Sequence, residues 1–437
     1  MTSNTEFENV AEDLEWRGAL FDATPGAAHT LAAEKITCYN GFDPTASSLH
    51  IGNLVPVMGL VRLQQYGHTP VALVGGGTGM IGDPSGRADE RTLLSVADID
   101  YNVEAIRAQL EPFLDFKAKS NPAKVVNNAD WLRTTDLLSF LRDVGKHFTV
   151  NTMMSRDSVK DRFSRDSGIS FTEFSYQLLQ AYDFLTLYDR DHVGFQAGGS
   201  DQWGNILGGV DLIRRVHGAD SKGRPRAHGI AYPLVVNSNG EKFGKSIGGA
   251  PTLDPKQTSP YKLYQFFLNV ADADAVSYVK LFTMLNQVQI GGLAESVVEE
   301  PQKRAAQKAL AEEVTRTIHG QGGLDQALKV TQAFFGGDIS VLSADQMEDV
   351  LDGSSVTEVN RDQLSGEGIR FSELAVSAGA GKSGGDVKRT IDQGGMYLNG
   401  EQITDAGRTV GVNDLIEGRL LVIRRGRKNY SLVKLAE

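Results

Sequence analysis

Two short segments of this chain carry side chains suited to handling phosphate, and they lie far apart in the sequence. The first is the quartet His50, Ile51, Gly52, Asn53, which ends the stretch YNGFDPTASSLHIGN. The second is KFGKS, which brings Lys242, Lys245 and Ser246 together. An imidazole and an amide at the start of a helix can donate hydrogen bonds to a phosphoryl group, aided by the positive end of the helix dipole. Two lysines on a mobile loop can close over departing phosphates. Either quartet alone is weak, since each arises by chance at ordinary residue usage. In this order, with the segments that stand between them, they point to ATP.

The elements that must position these residues read as an α/β chain. Short apolar runs alternate with helical patterns, as in a parallel sheet with crossover helices. Residues 35–39 (KITCY) predict a strand feeding the first quartet, and 54–65 a helix with Leu54, Val57, Met58 and Val61 on one face. Residues 70–74 (PVALV) predict the next strand, followed by the glycine-rich loop GGGTGMIGDPSGR. Ligands of open α/β sheets bind in crevices at such strand ends. Residues 127–154 look like an insertion, with an amphipathic helix over 135–146 whose apolar side is Leu137, Leu138, Leu141 and Val144. In FTEFSYQLLQAYDF, the spacing of Tyr176, Gln180 and Asp183 puts all three on one helix face. A strand at 193–196 leads into GGSDQWGN and another helix. Beyond Gly249 the character is helical, with Ala306, Leu310, Val314 and Ile318 at intervals of four and Gly320 as a terminator. Residues 336–368 are acidic and rich in Gly, Ser and Asp, which predicts a linker. The tail resumes with a helical pattern and then short strands.

Composition narrows the classes. The chain has 437 residues, 41% hydrophobic and 23% charged, as in soluble globular proteins of two or three domains. The acidic start lacks the continuous apolar core of a signal peptide, and no run has spanning length, so no membrane role is expected. The single cysteine, Cys38, excludes an intramolecular disulfide, fits a reducing cytoplasm and reads as a small buried strand residue. Net charge is −11, yet residues 369–437 carry 11 Lys and Arg against 8 Asp and Glu, a balance of +3 that leaves −14 on the rest. A mildly basic tail on an acidic body is the pattern of a local polyanion contact, although ordinary fluctuation would also produce it.

On the segments CYNGFDPTASSLHIGNL, GGGTGMIGDPSGR, NNADWL, FTEFSYQLLQAYDF, QAGGSDQWGN and KFGKS, with the basic tail, the chain resembles the bacterial tyrosyl-tRNA synthetases, class I aminoacyl-tRNA synthetases. The resemblance runs along essentially the whole length. It implies a Rossmann-like parallel-sheet catalytic domain over 1–235 with a helical insertion at about 127–170. A mobile loop over 236–250, an α-helical domain over 251–335, the linker 336–368 and a small α+β RNA-binding domain over 369–437 would follow. It also implies roles. Tyr39 and Asp183 would hold the phenolic hydroxyl of L-tyrosine; Asp83, Tyr176 and Gln180 would surround its ammonium, with Gln202 at the carboxylate end and Asn128 also in the tyrosine site. Gly41, Asp43, Gly52, Gly199 and Asp201 would line the adenylate. Thr45, His50, Asn53, Arg87, Arg91, Lys242, Lys245 and Ser246 would meet the ATP phosphates. Lys382, Lys388, Arg389, Arg424, Arg425, Arg427 and Lys428 would face tRNA-Tyr. Trp131 and Trp203 read as packing residues.

The implied reaction is attack of the tyrosine carboxylate on the α-phosphorus of Mg-ATP, followed by transfer of tyrosyl to the 3′-terminal adenosine of tRNA. The nucleophile is already ionised, so positioning and electrostatics suffice. Mg²⁺ is expected with ATP, and no dedicated protein metal site is. A homodimer through the insertion is implied. Two departures stand out: Asn53 replaces the second histidine of the usual signature and cannot be a general acid, and KFGKS replaces KMSKS. Competing readings are a tryptophanyl-tRNA synthetase, a small nucleotidylyltransferase, and a noncatalytic RNA-binding protein on a synthetase scaffold.

Overall fold

The computed structural model describes residues 6–85, 94–156, 159–160, 168–241, 243, 250–334, 338–426 and 429–436. Arg87, Arg91, Lys242, Lys245, Ser246, Arg427 and Lys428 lie outside the described residues. The chain divides into two compact units, one of residues 1–258 and 266–318, the other of 259–265 and 319–437.

In the first unit six strands form one sheet. They are β1 (Asp22–Ala23), β2 (Thr37–Phe42), β3 (Thr69–Val74), β4 (Lys124–Asn127), β5 (Phe195–Gly199) and β6 (His228–Tyr232), in the order β1-β6-β5-β2-β3-β4. All pairs are parallel except the edge pair β1/β6. The chain runs outward from β2 through β3 to β4, then returns to β5 on the other side of β2. That reversal opens a crevice at the carboxyl ends of β2 and β5. β2 and β5 both extend further toward this crevice than sequence patterning predicts. Asn40, Gly41 and Gly199 are poor strand formers, but ladder pairing overrides that: Asn40 pairs with Ala72 and Ala197, Gly41 with Leu73 and Gly199 with Tyr232.

The helix Leu54–Gln65 follows the first quartet and is buried on nearly every side. A Cβ at Gly59 would collide with the Tyr232 ring, so glycine lets helix and sheet approach. Arg62, on the same helix, is completely buried. Its guanidinium donates to the carbonyls of Lys280, Leu281 and Thr283 at 2.9, 2.8 and 3.1 Å. These lie at the carboxyl end of the helix Asp272–Phe282, whose last carbonyls have no partner within the helix. Arg17, itself paired with Asp13 at 2.6 Å, reaches the carbonyls of Lys280, Thr283 and Leu285. Burial, together with the neighbouring Arg17 charge, pushes Arg62 down to about 9.

Gly320 ends a helix, as expected: it is non-helical (φ 71°) where the run Ala305–Phe334 divides into two helices. Two expectations are corrected. The helical region 251–335 is not a separate domain, because the helices Asp272–Phe282 and Gln287–Glu299 belong to the sheet unit. The supposed linker is folded from residue 338 on. Ile339, Leu342, Ala344, Met347 and Leu351 pack with Leu420, Val422 and Leu432 in one core. The acidic residues that dominate this segment's composition lie outside that core, where Asp345 and Glu348 pair with Arg419. Within the same segment β7 (Ser355–Val359) runs parallel to the last strand.

The second unit holds two sheets. Its strands are β7, β8 (Ile369–Arg370), β9 (Met396–Leu398), β10 (Glu401–Gln402), β11 (Thr409–Val410), β12 (Leu420–Arg425) and β13 (Asn429–Leu435). The five-stranded sheet has the order β10-β9-β12-β13-β7, and β11 pairs with β8. Helices Phe371–Ser377 and Gly384–Asp392 bury Phe371, Leu374, Val387 and Ile391 against Met396, Leu398, Leu421 and Ile423.

In the insertion, the helix Leu137–Asp143 leaves Leu137 and Leu138 67% and 74% exposed, whereas Val144 is buried. No helix among the described residues is long and apolar enough to cross a membrane.

The Arg62 contacts yield a stability prediction. Replacing Arg62 by methionine strips three charge-assisted bonds from a buried helix end and should cost about 3 kcal/mol or more. Differential scanning calorimetry should show a lower first thermal transition, and an unchanged one would mean the carbonyls are satisfied without Arg62.

Candidate active site

The crevice holds a cavity of about 410 Å³, lined by residues from β2, β5, β6 and the helix Phe171–Asp191. That helix runs for 21 residues, capped at its start by Ser170 accepting from the Glu173 N–H. Its Tyr176, Gln180 and Asp183 all reach the cavity wall, as their spacing requires.

The inner end is defined by Asp183, only 2% exposed. One carboxylate oxygen accepts from the Trp131 indole N–H at 2.7 Å, the other from the Asn128 amide at 2.9 Å. Asn128 cannot be turned around, because its own oxygen accepts the Gly77 N–H at 2.7 Å. Two fixed donors favour the ionised acid, but burial outweighs them and pushes Asp183 up to about 7, with the Asp43 charge adding to the rise. Tyr39 stands beside it on β2, edge-on to Phe184 at 5.4 Å. Burial foremost, then the Asp183 charge, raises the Tyr39 phenol well above its ordinary range. The Tyr39 hydroxyl and the Gln196 amide oxygen are buried against the cavity without a hydrogen-bond partner among the described residues. A buried polar atom of this kind is satisfied when a ligand supplies the missing group.

Two polar chains cross the middle. Tyr176 donates to Asp43 at 2.8 Å, and Asp43 accepts from Thr78 at 2.9 Å. Gln202 donates to Asp83 at 2.5 Å, while Asn205 donates to Gln180 at 3.0 Å and more distantly to Gln202 at 3.4 Å. Asp83 also accepts the Ser85 N–H at 2.9 Å. The expected ammonium-side residues Asp83, Tyr176, Gln180 and Gln202 are therefore gathered on one wall, and Asp43 joins them through Tyr176.

At the mouth stand Thr45, His50, Gly52, Asn53, Gly199 and Asp201. His50 caps the short turn Ile51–Asn53: its Nδ1 accepts the Gly52 N–H at 3.0 Å, so a neutral ring carries its proton on Nε2. Asn53 returns the bond, its side-chain oxygen accepting the His50 N–H at 3.1 Å, which leaves the amide NH₂ as the donor. A Cβ at Gly52 would lie 2.7 Å from the His50 ring, so only glycine permits this cap. The Ile51 N–H donates to the Pro251 carbonyl at 3.0 Å, and the Leu253 N–H to the Leu49 carbonyl at 2.7 Å. The chain returning from KFGKS is thereby stitched to the first quartet.

Asn128 stands behind Asp183 rather than on the cavity wall. Trp131, read from sequence as packing, is a donor to Asp183; the signal available was that a buried indole N–H needs an acceptor. Thr78, in the glycine-rich loop, Gln196, in β5, and Asn205, on the helix Trp203–His217, were also missed, since single polar residues in such settings carry no spacing cue.

In the second unit Lys382, Lys388 and Arg389 are exposed on or beside the helix Gly384–Asp392. Arg424 lies over the Tyr397 ring at 3.8 Å. Arg425 is committed internally, donating to both Asp386 oxygens at 2.8 and 3.1 Å and to the Ala380 carbonyl.

Comparison with known proteins agrees with this architecture. Residues 31–336 match the family model of class I tRNA synthetases (W and Y), and residues 350–433 match that of the tyrosine–tRNA ligase SYY-like C-terminal domain. A tyrosine–tRNA ligase of Roseiflexus castenholzii is 48% identical over 426 residues, covering 98% of this chain and 99% of that protein. One from Geobacillus stearothermophilus is 47% identical over 430 residues, covering 98% and 100%. Among solved structures, a C-terminally truncated mitochondrial tyrosyl-tRNA synthetase of Aspergillus nidulans superposes with a TM-score of 0.68 at 30% identity, covering 76% of this chain and 95% of that one. A tryptophanyl-tRNA synthetase of Plasmodium falciparum shares the fold, with a TM-score of 0.51 at 11% identity over 78% of this chain and 88% of that one. The chain belongs to the tyrosine–tRNA ligases, within the class I tRNA synthetases.

Proposed function

We propose that the cavity binds L-tyrosine and ATP, joins them as tyrosyl-adenylate, and passes the tyrosyl group to the 3′-terminal adenosine of tRNA-Tyr. The observation that carries this reading is the inner end. A buried carboxylate with two fixed donors, a phenol and a buried amide oxygen line the inner end and suit a hydroxyl on an aromatic ring. An indole N–H can donate but cannot accept, so it would leave the Tyr39 hydroxyl without the acceptor that a phenol oxygen offers, which disfavours tryptophan as the substrate.

Chemically, a tyrosine carboxylate oxygen forms a bond to the α-phosphorus while the bond to the bridging oxygen of pyrophosphate breaks. The attacking group is already an anion, so no protein base is required. Asp83, Tyr176 and Gln180 would hold the ammonium, with Gln202 near the carboxylate. Gly41, Asp43, Gly199 and Asp201 would flank the nucleotide. The Nε2–H of His50, the NH₂ of Asn53 and the hydroxyl of Thr45 would meet phosphate oxygens, along with Arg87, Arg91, Lys242, Lys245 and Ser246. Mg²⁺ enters on the ATP phosphates as part of the substrate. A tRNA ribose oxygen then attacks the tyrosyl carbonyl and AMP leaves. Lys382, Lys388 and Arg389 would contact tRNA phosphates. The exposed face of Leu137, Leu138 and Leu141 would be covered in a homodimer, and the site of action would be the cytoplasm.

Tyrosine-dependent ATP–pyrophosphate exchange tests this directly, since a nucleotidylyltransferase or a noncatalytic RNA-binding protein would not show it. Tyr39→Phe should weaken tyrosine and narrow its preference over phenylalanine, and Asp183→Ala should damage tyrosine binding severely. Unchanged specificity in both variants would overturn the assignment.

The raised Asp183 acidity gives a pH prediction. With Asn128 and Trp131 donating to both oxygens, the phenol needs an ionised acceptor. Tyrosine affinity should therefore hold at pH 8 and fall as pH drops through about 7, the value to which burial lifts Asp183. Calorimetric titration across that range checks it, and tighter binding at low pH would mean that the protonated acid donates instead.

Phosphate contacts make affinity salt-dependent. Replacing Lys382, Lys388 and Arg389 together by alanine should weaken tRNA binding and flatten its salt dependence by about one unit of log–log slope per residue. Tyrosine-dependent exchange should be unaffected, and an unaltered salt slope would place the RNA surface elsewhere.

A further inference from the structure

The turn that leads into the lysine segment is fastened to one face of a single helix. Residues 235–243 double back at Asn237, where the Gly240 N–H donates to the Asn237 carbonyl and Gly240 takes φ 79°. The Phe243 N–H closes the turn onto the Val235 carbonyl at 2.9 Å. Three residues of the helix Asp272–Phe282, spaced four apart, grip it. Asp274 accepts from the Ser238 N–H and hydroxyl, both at 3.2 Å. Tyr278 donates its hydroxyl to the Val236 carbonyl at 3.1 Å. Phe282 stacks on the Phe243 ring at 5.2 Å, while Tyr278 meets that ring edge-on at 4.7 Å. Phe266 and Phe267 complete the enclosure at 5.5 and 6.0 Å.

The same helix ends on the carbonyls that Arg62 and Arg17 hold. Arg62 belongs to the helix that begins directly after Asn53. A continuous run of contacts therefore joins the first quartet to the turn: His50 and Asn53, the helix Leu54–Gln65, Arg62, the helix Asp272–Phe282, and Phe243. Phe243 also lines the cavity, and its sequence neighbours include Lys242 and Lys245.

We infer that Phe243 is a positioning residue for the phosphate chemistry, its docked ring fixing the turn closed by Val235 and Phe243 relative to His50. This inference rests on the ligase reading above. Aromatic pairs are favourable only in defined geometries, so a five-ring cluster sets position as well as burying area. Tyrosine binds at the other end of the cavity, around Asp183, and makes no demand on this cluster. The inference thus separates two steps that a general loss of packing would damage together.

The test measures tyrosine affinity by equilibrium titration and adenylate formation by single-turnover kinetics, in the full-length chain. Phe243→Ala should lower the rate constant for adenylate formation by about 10- to 100-fold, the scale for a misplacement of roughly 1 Å, with tyrosine affinity within about twofold. Phe243→Leu, which keeps apolar bulk, should recover part of the rate. If Phe243→Ala lacks a cooperative thermal transition, Tyr278→Phe carries the test, because it deletes only the hydroxyl tether and should give a smaller loss in the same step. An unchanged rate in the folded variants, or a parallel fall in tyrosine affinity, would overturn the inference. Absence of tyrosine-dependent exchange in the unsubstituted protein would instead sink the ligase reading and this inference with it.

Discussion

Burying the Asp183 carboxylate is the constraint around which the catalytic half is arranged. A charge taken out of water is costly unless donors surround it. Here the donors come from Asn128 and Trp131, so the segment after β4 must lie against the helix Phe171–Asp191. Asn128 in turn donates to Thr78 and accepts from Gly77, which shapes the glycine-rich loop after β3. Thr78 holds Asp43 at the end of β2, and Tyr176 returns the chain of bonds to its starting helix. Three strand-end segments and one helix are thus placed by one network that begins at a single acid.

That network is also a chemical compromise. Two fixed donors leave Asp183 only partly reconciled to its burial, so it ionises near neutrality rather than in the usual carboxylate range. On the reading proposed above, a phenol entering beside Tyr39 would supply a third donor and complete the shell. A site built from buried polar groups discriminates for a hydroxyl more sharply than an apolar one does.

The mouth of the cavity is tied down in two ways. His50 and Asn53 cap each other locally, and the helix that follows them carries their position into the body of the unit. Arg62, completely buried, joins the helix behind His50 to the helix that carries Phe243's partners. In the second unit charge is divided between structure and surface. Arg419 and Arg425 pair with carboxylates of the same unit, while Lys382, Lys388 and Arg389 are exposed.

Much of this was legible in the residues alone. Alternating apolar runs and helical periods determined an α/β body, and the 3.6-residue period placed Tyr176, Gln180 and Asp183 on one face. The quartets around His50 and Lys242, weak singly, together pointed to phosphate chemistry, because few side chains can perform it. Composition misled at 336–368, where acidic surface residues hid a core of Ile339, Leu342, Met347 and Leu351. Only the tertiary structure decided that Trp131 and Asn128 serve Asp183, that Arg425 belongs to Asp386, and that Phe243 is held by a helix beginning at Asp272. The physical reason is common to all three. Local periodicity records which face of an element is apolar, whereas the partner of a buried polar or aromatic group is chosen by segments distant in the chain.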